Sequence, residues 1–225
     1  MAKEKQIKQN KGPKDVLYRA VMAILAVCVP VAAYFCEYIY TVLESDIFKW
    51  LAQLSGNTTD TGATESVWSI QRFVEKVLPM MKNGEGDASG IWQALEPIHT
   101  ALVCVAVFFV LAIVLAVVIF FFSVFSKKKT VPLCIALGGV LSMIALYISF
   151  NAAATPMVDG TMSLSAFFSS SLITALLAGL NSFSVIRLTT GYFVMLFLFI
   201  AMALWAGANK LIELGDKPPK DAKKA

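Results

Sequence analysis

Apolar positions in this chain gather into long unbroken runs instead of alternating with polar ones. Residues 20–36 are uncharged and lie between Arg19 and Glu37. Residues 98–126 carry no charge, residues 130–150 follow Lys127, Lys128 and Lys129 directly, and residues 188–209 lie between Arg187 and Lys210. A hydrocarbon core of roughly 30 Å is crossed by about 20 helical residues. Each run falls in or above that range, and none shows the short alternating strands of a membrane barrel. The pattern predicts four transmembrane helices, over 16–43, 98–126, 130–150 and 188–210.

A further uncharged stretch, 164–186, reads differently. Leu164, Phe167, Phe168, Leu172, Ala175, Leu176 and Phe183 recur at helical spacing, while Ser165, Ser169, Ser170, Asn181 and Ser182 mark another side. This suits an amphipathic or re-entrant helix before the last span. A fifth span is disfavoured by charge. Lysine and arginine stay on the cytoplasmic side, and they crowd the tail 1–15, the connector 127–129 and the tail 211–225. Residues 44–97 hold eight acids against four bases. Four spans put all three basic segments inside and the acidic loop outside, in a plasma or bacterial inner membrane. Val31, Ala32 and Ala33 resemble a signal-peptide cleavage site, but the apolar run exceeds a signal's core of about 7–15 residues. An uncleaved anchor is expected.

The outer loop 44–97 is too long for a plain connector. Leu43, Ile47, Trp50, Leu51 and Leu54 predict one amphipathic helix ended by Gly56, and a second is expected from Thr64 through Val67, Trp68, Ile70, Phe73, Val74 and Val77 to Leu78. The expected fold is therefore an all-α polytopic membrane protein with a helical extracytoplasmic layer. Trp50, Trp68, Trp92 and Phe73 are its candidate outer interface, as an interfacial aromatic belt, a subunit contact or an aromatic cage. Asn57, Thr58 and Thr59 also match a glycosylation acceptor.

Composition narrows the chemistry. The chain is 58% hydrophobic and 15% charged, against about 25% charged in soluble domains. That excludes a disordered tail, a disulfide-stapled secreted domain and a nucleic-acid-binding module. One histidine cannot make a two-histidine metal motif, and no phosphate loop or serine elbow is present. No metal, cofactor or catalytic residue is expected, and an enzymatic role is disfavoured. Cys28, Cys36, Cys104 and Cys134 stand singly in apolar runs, though Cys36 and Cys104 share a depth that leaves a disulfide open. Glu37, Arg187 and His99 are the candidate ion pair or pore ring near the outer face. Gly138 with Ser142, and Ala203 with Gly207, are candidate small-residue packing pairs, with the phenylalanine-rich second span more peripheral.

Three functions compete. The first is a non-enzymatic subunit of a membrane assembly, a scaffold or accessory chain contacting homo-oligomeric copies or other membrane proteins. The second is a homo-oligomeric four-span channel. The third is a small proton-coupled exporter, which would need an acid nearer the midplane than Glu37. The basic tails are expected to track anionic lipid headgroups, at about 1 kcal/mol per charge near the surface. In topology alone the arrangement is similar to several large-pore channels and to claudin-type junction proteins. Loop 44–97 has no cysteine of the kind those families use there, and no family is assigned on this likeness.

Overall fold

The computed structural model describes residues 13–45, 63–72, 96–126, 129–159 and 181–215. Four long helices dominate it: α1 (Pro13–Phe35), α2 (His99–Phe125), α3 (Thr130–Val158) and α4 (Thr190–Gly215). All four are long and apolar enough to cross a membrane. The protein is a helical bundle of four membrane-spanning helices. Each α1, α2, α3 or α4 packs on two neighbours, α2 lying against α1 and α3, and α4 against α3 and α1. The bundle runs up and down, so Pro13, Phe125, Thr130 and Gly215 share one end.

These helices are apolar nearly all round, and the buried seam is chosen by side-chain size. One buried row in α3 is Ala136, Gly139, Met143, Leu146, Phe150 and Ala153, with Pro132, Ser142 and Ala154 buried beside it, and one in α4 is Tyr192, Met195, Phe199, Met202 and Ala206. Both rows step by three and four alternately. That is the 3.5-residue repeat that keeps one seam facing a neighbour along its whole length. α2 buries only Ala112, Ala116, Ile119 and Ser123. Its most apolar window is 17% buried, against 33% in each of the other spans, so most of its phenylalanine and valine surface faces outward.

Beyond the helices the described residues form a sheet. Strands β1 (Glu37–Ser45), β2 (Ala63–Ser69) and β3 (Asn181–Leu188) pair antiparallel in the order β2-β1-β3. This corrects the expected helical layer at 44–45 and 64–69; 46–62 and 73–95, where the rest of it was expected, lie outside the described residues. Leu43 lies inside β1 and does not open a helix, and Thr64 lies inside β2 and does not cap one. A helical turn (Ile70–Arg72) follows β2. Likewise residues 181–186, read as the end of an amphipathic helix, belong to β3. The first span also stops at Phe35, with 37–43 in β1. The physical reason is composition: Tyr38, Ile39, Tyr40, Thr41 and Val42 are β-branched or aromatic, types that fit a pleated surface. Trp50, Phe73, Trp92, the Ser165/Ser169 side and Asn57 lie outside the described residues.

Close packing in the bundle rests on Gly139. A Cβ there would overlap the fully buried Phe199 ring of α4, whereas at Gly138 the nearest atom would be Leu115 Cδ1 at 3.9 Å. Gly139→Ala is therefore expected to destabilise the bundle by about 1–3 kcal/mol through overpacking. Gly138→Ala should be neutral or stabilise by up to about 1 kcal/mol, since alanine is the better helix former. Unfolding of the two variants side by side in one detergent checks the contrast.

Candidate functional site

Where the sheet meets the bundle, the backbone must turn from helix to strand and back without stranding its polar groups in an apolar setting. The sequence supplies the parts. β1 pairs Glu37 with Ser69 and Ile39 with Trp68 on β2, so Tyr38 is the extra residue of a bulge. A bulge re-aims the side chain it carries, and Tyr38 turns into the bundle, where it is 8% exposed. Its hydroxyl donates to Met195 Sδ at 2.8 Å, and its ring meets Phe109 of α2 edge to face at 5.2 Å.

Thr189, between β3 and α4, closes the joint. Its N–H donates to the Tyr38 carbonyl at 2.9 Å and its Oγ1 to the Glu37 carbonyl at 2.6 Å. The Tyr192 N–H returns to the Thr189 carbonyl at 3.1 Å, and Gly191 gives the space: a Cβ there would stand 2.7 Å from the Glu37 carbonyl oxygen. Tyr192 extends the network to α3, donating from its hydroxyl to the Met143 carbonyl at 3.2 Å. Ser142 ties α3 to α2 through a 2.9 Å bond from its Oγ to the Phe108 carbonyl.

The sheet above this joint has two unlike faces. Ile39 and Leu188 are cross-strand partners and pack against the bundle core. Tyr40 and Arg187 are the next pair and point the other way, with the guanidinium 4.7 Å from the Tyr40 ring centroid. Such a cation–π contact is worth roughly 0.5–1 kcal/mol at an exposed site. Glu37, Val185 and Arg187 are exposed on the sheet.

The candidate residues are thus distributed. Glu37, Arg187 and His99 all lie at the sheet end, His99 exposed at the start of α2. Arg187 turns to Tyr40, three residues along β1 from Glu37. Trp68 is half-buried and stands opposite Ile39, on the side facing the bundle. Ser142 is buried and bridges two helices, Gly138 lies beside Leu115 of α2, Gly207 lies beside Leu133 of α3, and Ala203 packs on the core. Cys36 and Cys104 are free thiols, so the disulfide left open by the sequence is not made. Among the described residues no group of three or more His, Cys, Asp or Glu gathers as a metal site.

Tyr38, Thr189, Gly191 and Gly139 carry the joint and the tightest packing, and sequence reasoning passed over all four. The Thr189-Thr190-Gly191 run was the available signal, a break between an apolar stretch and a span. Comparison with protein families, with curated proteins and with solved structures gives no match. Chemically, the described polar groups at this joint bond to one another and tie the sheet to the bundle.

Two outcomes follow. Tyr38→Phe keeps the ring and removes the hydroxyl bond to Met195, for an expected loss of about 0.5–1.5 kcal/mol, while Tyr38→Ala leaves a cavity and should lose about 3–5 kcal/mol. Burial, with a smaller contribution from Cys36, pushes the Tyr38 phenol above its ordinary value of 10.0. Above pH 10 the unfolded chain then gives up this proton and the folded chain keeps it, so stability falls as pH rises. Unfolding measured between pH 8 and pH 11 should show that decline in the parent and a shallower one in Tyr38→Phe.

Proposed function

We propose that this chain is a non-enzymatic integral membrane protein that serves as a subunit of a membrane assembly, using its sheet as the contact surface. With the lysine-rich ends in the cytoplasm, that sheet stands on the opposite side of a plasma or bacterial inner membrane. The observation that carries the reading is the clamp itself: Thr189 and Tyr38 hold β1 and β3 to two spans at once. A surface held this firmly loses little freedom on meeting a partner, which is how preorganisation raises affinity. Its exposed face offers Arg187 stacked on Tyr40, residue types enriched at the centres of protein interfaces.

The bundle supports the same reading. Its interior is filled by Met22, Val29, Ile119, Met143, Met195, Phe199 and Met202, all fully buried. Its outward surface is apolar, with Val107, Val114, Leu141, Ile148, Phe197 and Leu204 exposed. A filled interior with an apolar exterior suits a chain surrounded by lipid better than one that lines water, so the homo-oligomeric channel stands second. The proton-coupled exporter stands third, since between Val16 and Ile212 the four helices contain no acid.

Photo-crosslinkers at Val185 and Arg187, with Leu204 as the lipid-facing comparison, test this in native membranes. The expected result is a discrete protein adduct from the sheet positions alone. Arg187→Glu should weaken it about thirty-fold if the arginine contributes the roughly 2 kcal/mol of an interface hot spot. A chain that stays monomeric, with no discrete adduct from either position, would sink the proposal. Conductance of the reconstituted chain, lost in Glu37→Ala, would move the channel to first place.

A further inference from the structure

The end of the bundle away from the sheet carries a second cluster. In α1, Asp15, Tyr18 and Arg19 fall at i, i+3 and i+4 and so share one helix face. Lys129, in the turn before α3, binds Asp15 Oδ1 at 2.9 Å and stands 5.5 Å from the Tyr18 ring centroid. Arg19 Nη1 donates to the Val124 carbonyl, near the end of α2, at 3.3 Å. Three helix ends thus meet around two cations and one carboxylate.

Tyr18 is 4% exposed, yet among the described residues its hydroxyl has no hydrogen-bond partner. Buried phenols normally find one. Side chains on a helix lean toward its N-terminus, which directs this hydroxyl to the end where Lys129 and Arg19 stand. Lys129 Nζ lies over the ring. The donors are also under-used: the Asp15 contact takes one of three N–H groups on Lys129, and the Val124 carbonyl takes one of five on Arg19. Among the described residues the cluster sets two cations against one carboxylate, and Lys127 and Lys128 precede Lys129 in the chain, so what complements it is an anionic group rich in acceptors. A phosphodiester is such a group, and helix ends lie at headgroup depth.

We propose that Arg19, Lys129 and the Tyr18 hydroxyl bind the phosphate of one anionic lipid headgroup, with Asp15 holding Lys129 in place when the lipid is absent. The site depends on the bundle residing in a membrane and not on the contact role of the sheet, so either can fail alone. The phosphate is taken to be lipid-borne because the cluster stands at the ends of membrane-spanning helices, where headgroups lie.

Native mass spectrometry of the full chain released from nanodiscs of phosphatidylcholine with a minority of phosphatidylglycerol tests this. One phosphatidylglycerol per chain should be retained over phosphatidylcholine. Arg19→Gln and Lys129→Gln should each lower retention about tenfold, as expected for loss of a charged hydrogen bond. Tyr18→Phe, which keeps the ring in the core, should lower it several-fold while leaving the melting temperature in pure phosphatidylcholine unchanged or raised, since the hydroxyl it removes is unpaired there. Lys220→Gln with Lys223→Gln, in the tail, should have no effect. Retention equal in the parent, Tyr18→Phe and Arg19→Gln would overturn the proposal, as would loss only in the tail variant. Stabilisation by inorganic phosphate in phosphatidylcholine discs that matches phosphatidylglycerol would overturn the lipid source.

Discussion

Burial of one phenol at the seam between helix and strand is what the rest of the structure depends on. Tyr38 belongs by sequence to β1, yet its side chain sits in the bundle among Met195 and Phe109. Its backbone carbonyl meanwhile accepts from Thr189, at the far end of the sheet's other joint. One residue therefore couples α1, α2, α4, β1 and the β3–α4 turn. In an apolar setting an unpaired hydroxyl or carbonyl is expensive, and the geometry that satisfies all of these groups at once is narrow. That narrowness fixes the angle of the sheet on the bundle.

Within the bundle the balance differs from that of a soluble core. Lipid tails are as apolar as leucine, so helices in a membrane associate through close contact and hydrogen bonds more than through exclusion of water. Gly139 under the Phe199 ring gives the contact, and the bonds from Ser142 and Tyr192 to carbonyls of neighbouring helices give the directionality. Methionines at 22, 143, 195 and 202 fill the remaining interior, as an unbranched, polarisable side chain can where the gaps are irregular. The result is a solid post, which is what a projecting sheet needs beneath it.

The two ends of that post are chemically unlike. At the sheet end the polar groups close on one another and the exposed face offers an arginine on a tyrosine ring. At the other end the cations Arg19 and Lys129 keep donors in reserve around a buried hydroxyl without a partner.

The four spans were legible in the sequence because a run of about 20 apolar residues has few other fates, and composition alone marks it. Which face of each span is buried was not legible. The helices are apolar on every side, so no moment points inward, and Gly139 is distinguished from Gly138 only by the ring opposite it. The sheet was misread for a related reason. Leu43 falls at helical spacing with Ile47, Trp50 and Leu51, which lie outside the described residues, while β1 finds its partners in Ala63–Ser69 and in Asn181–Leu188, pairings that no local period reveals. Local sequence thus determined that this chain lives in a bilayer and where it crosses. Only the tertiary structure decided that the segments after the first span and before the last are strands of one sheet, because that outcome depends on hydrogen bonds between residues more than a hundred positions apart.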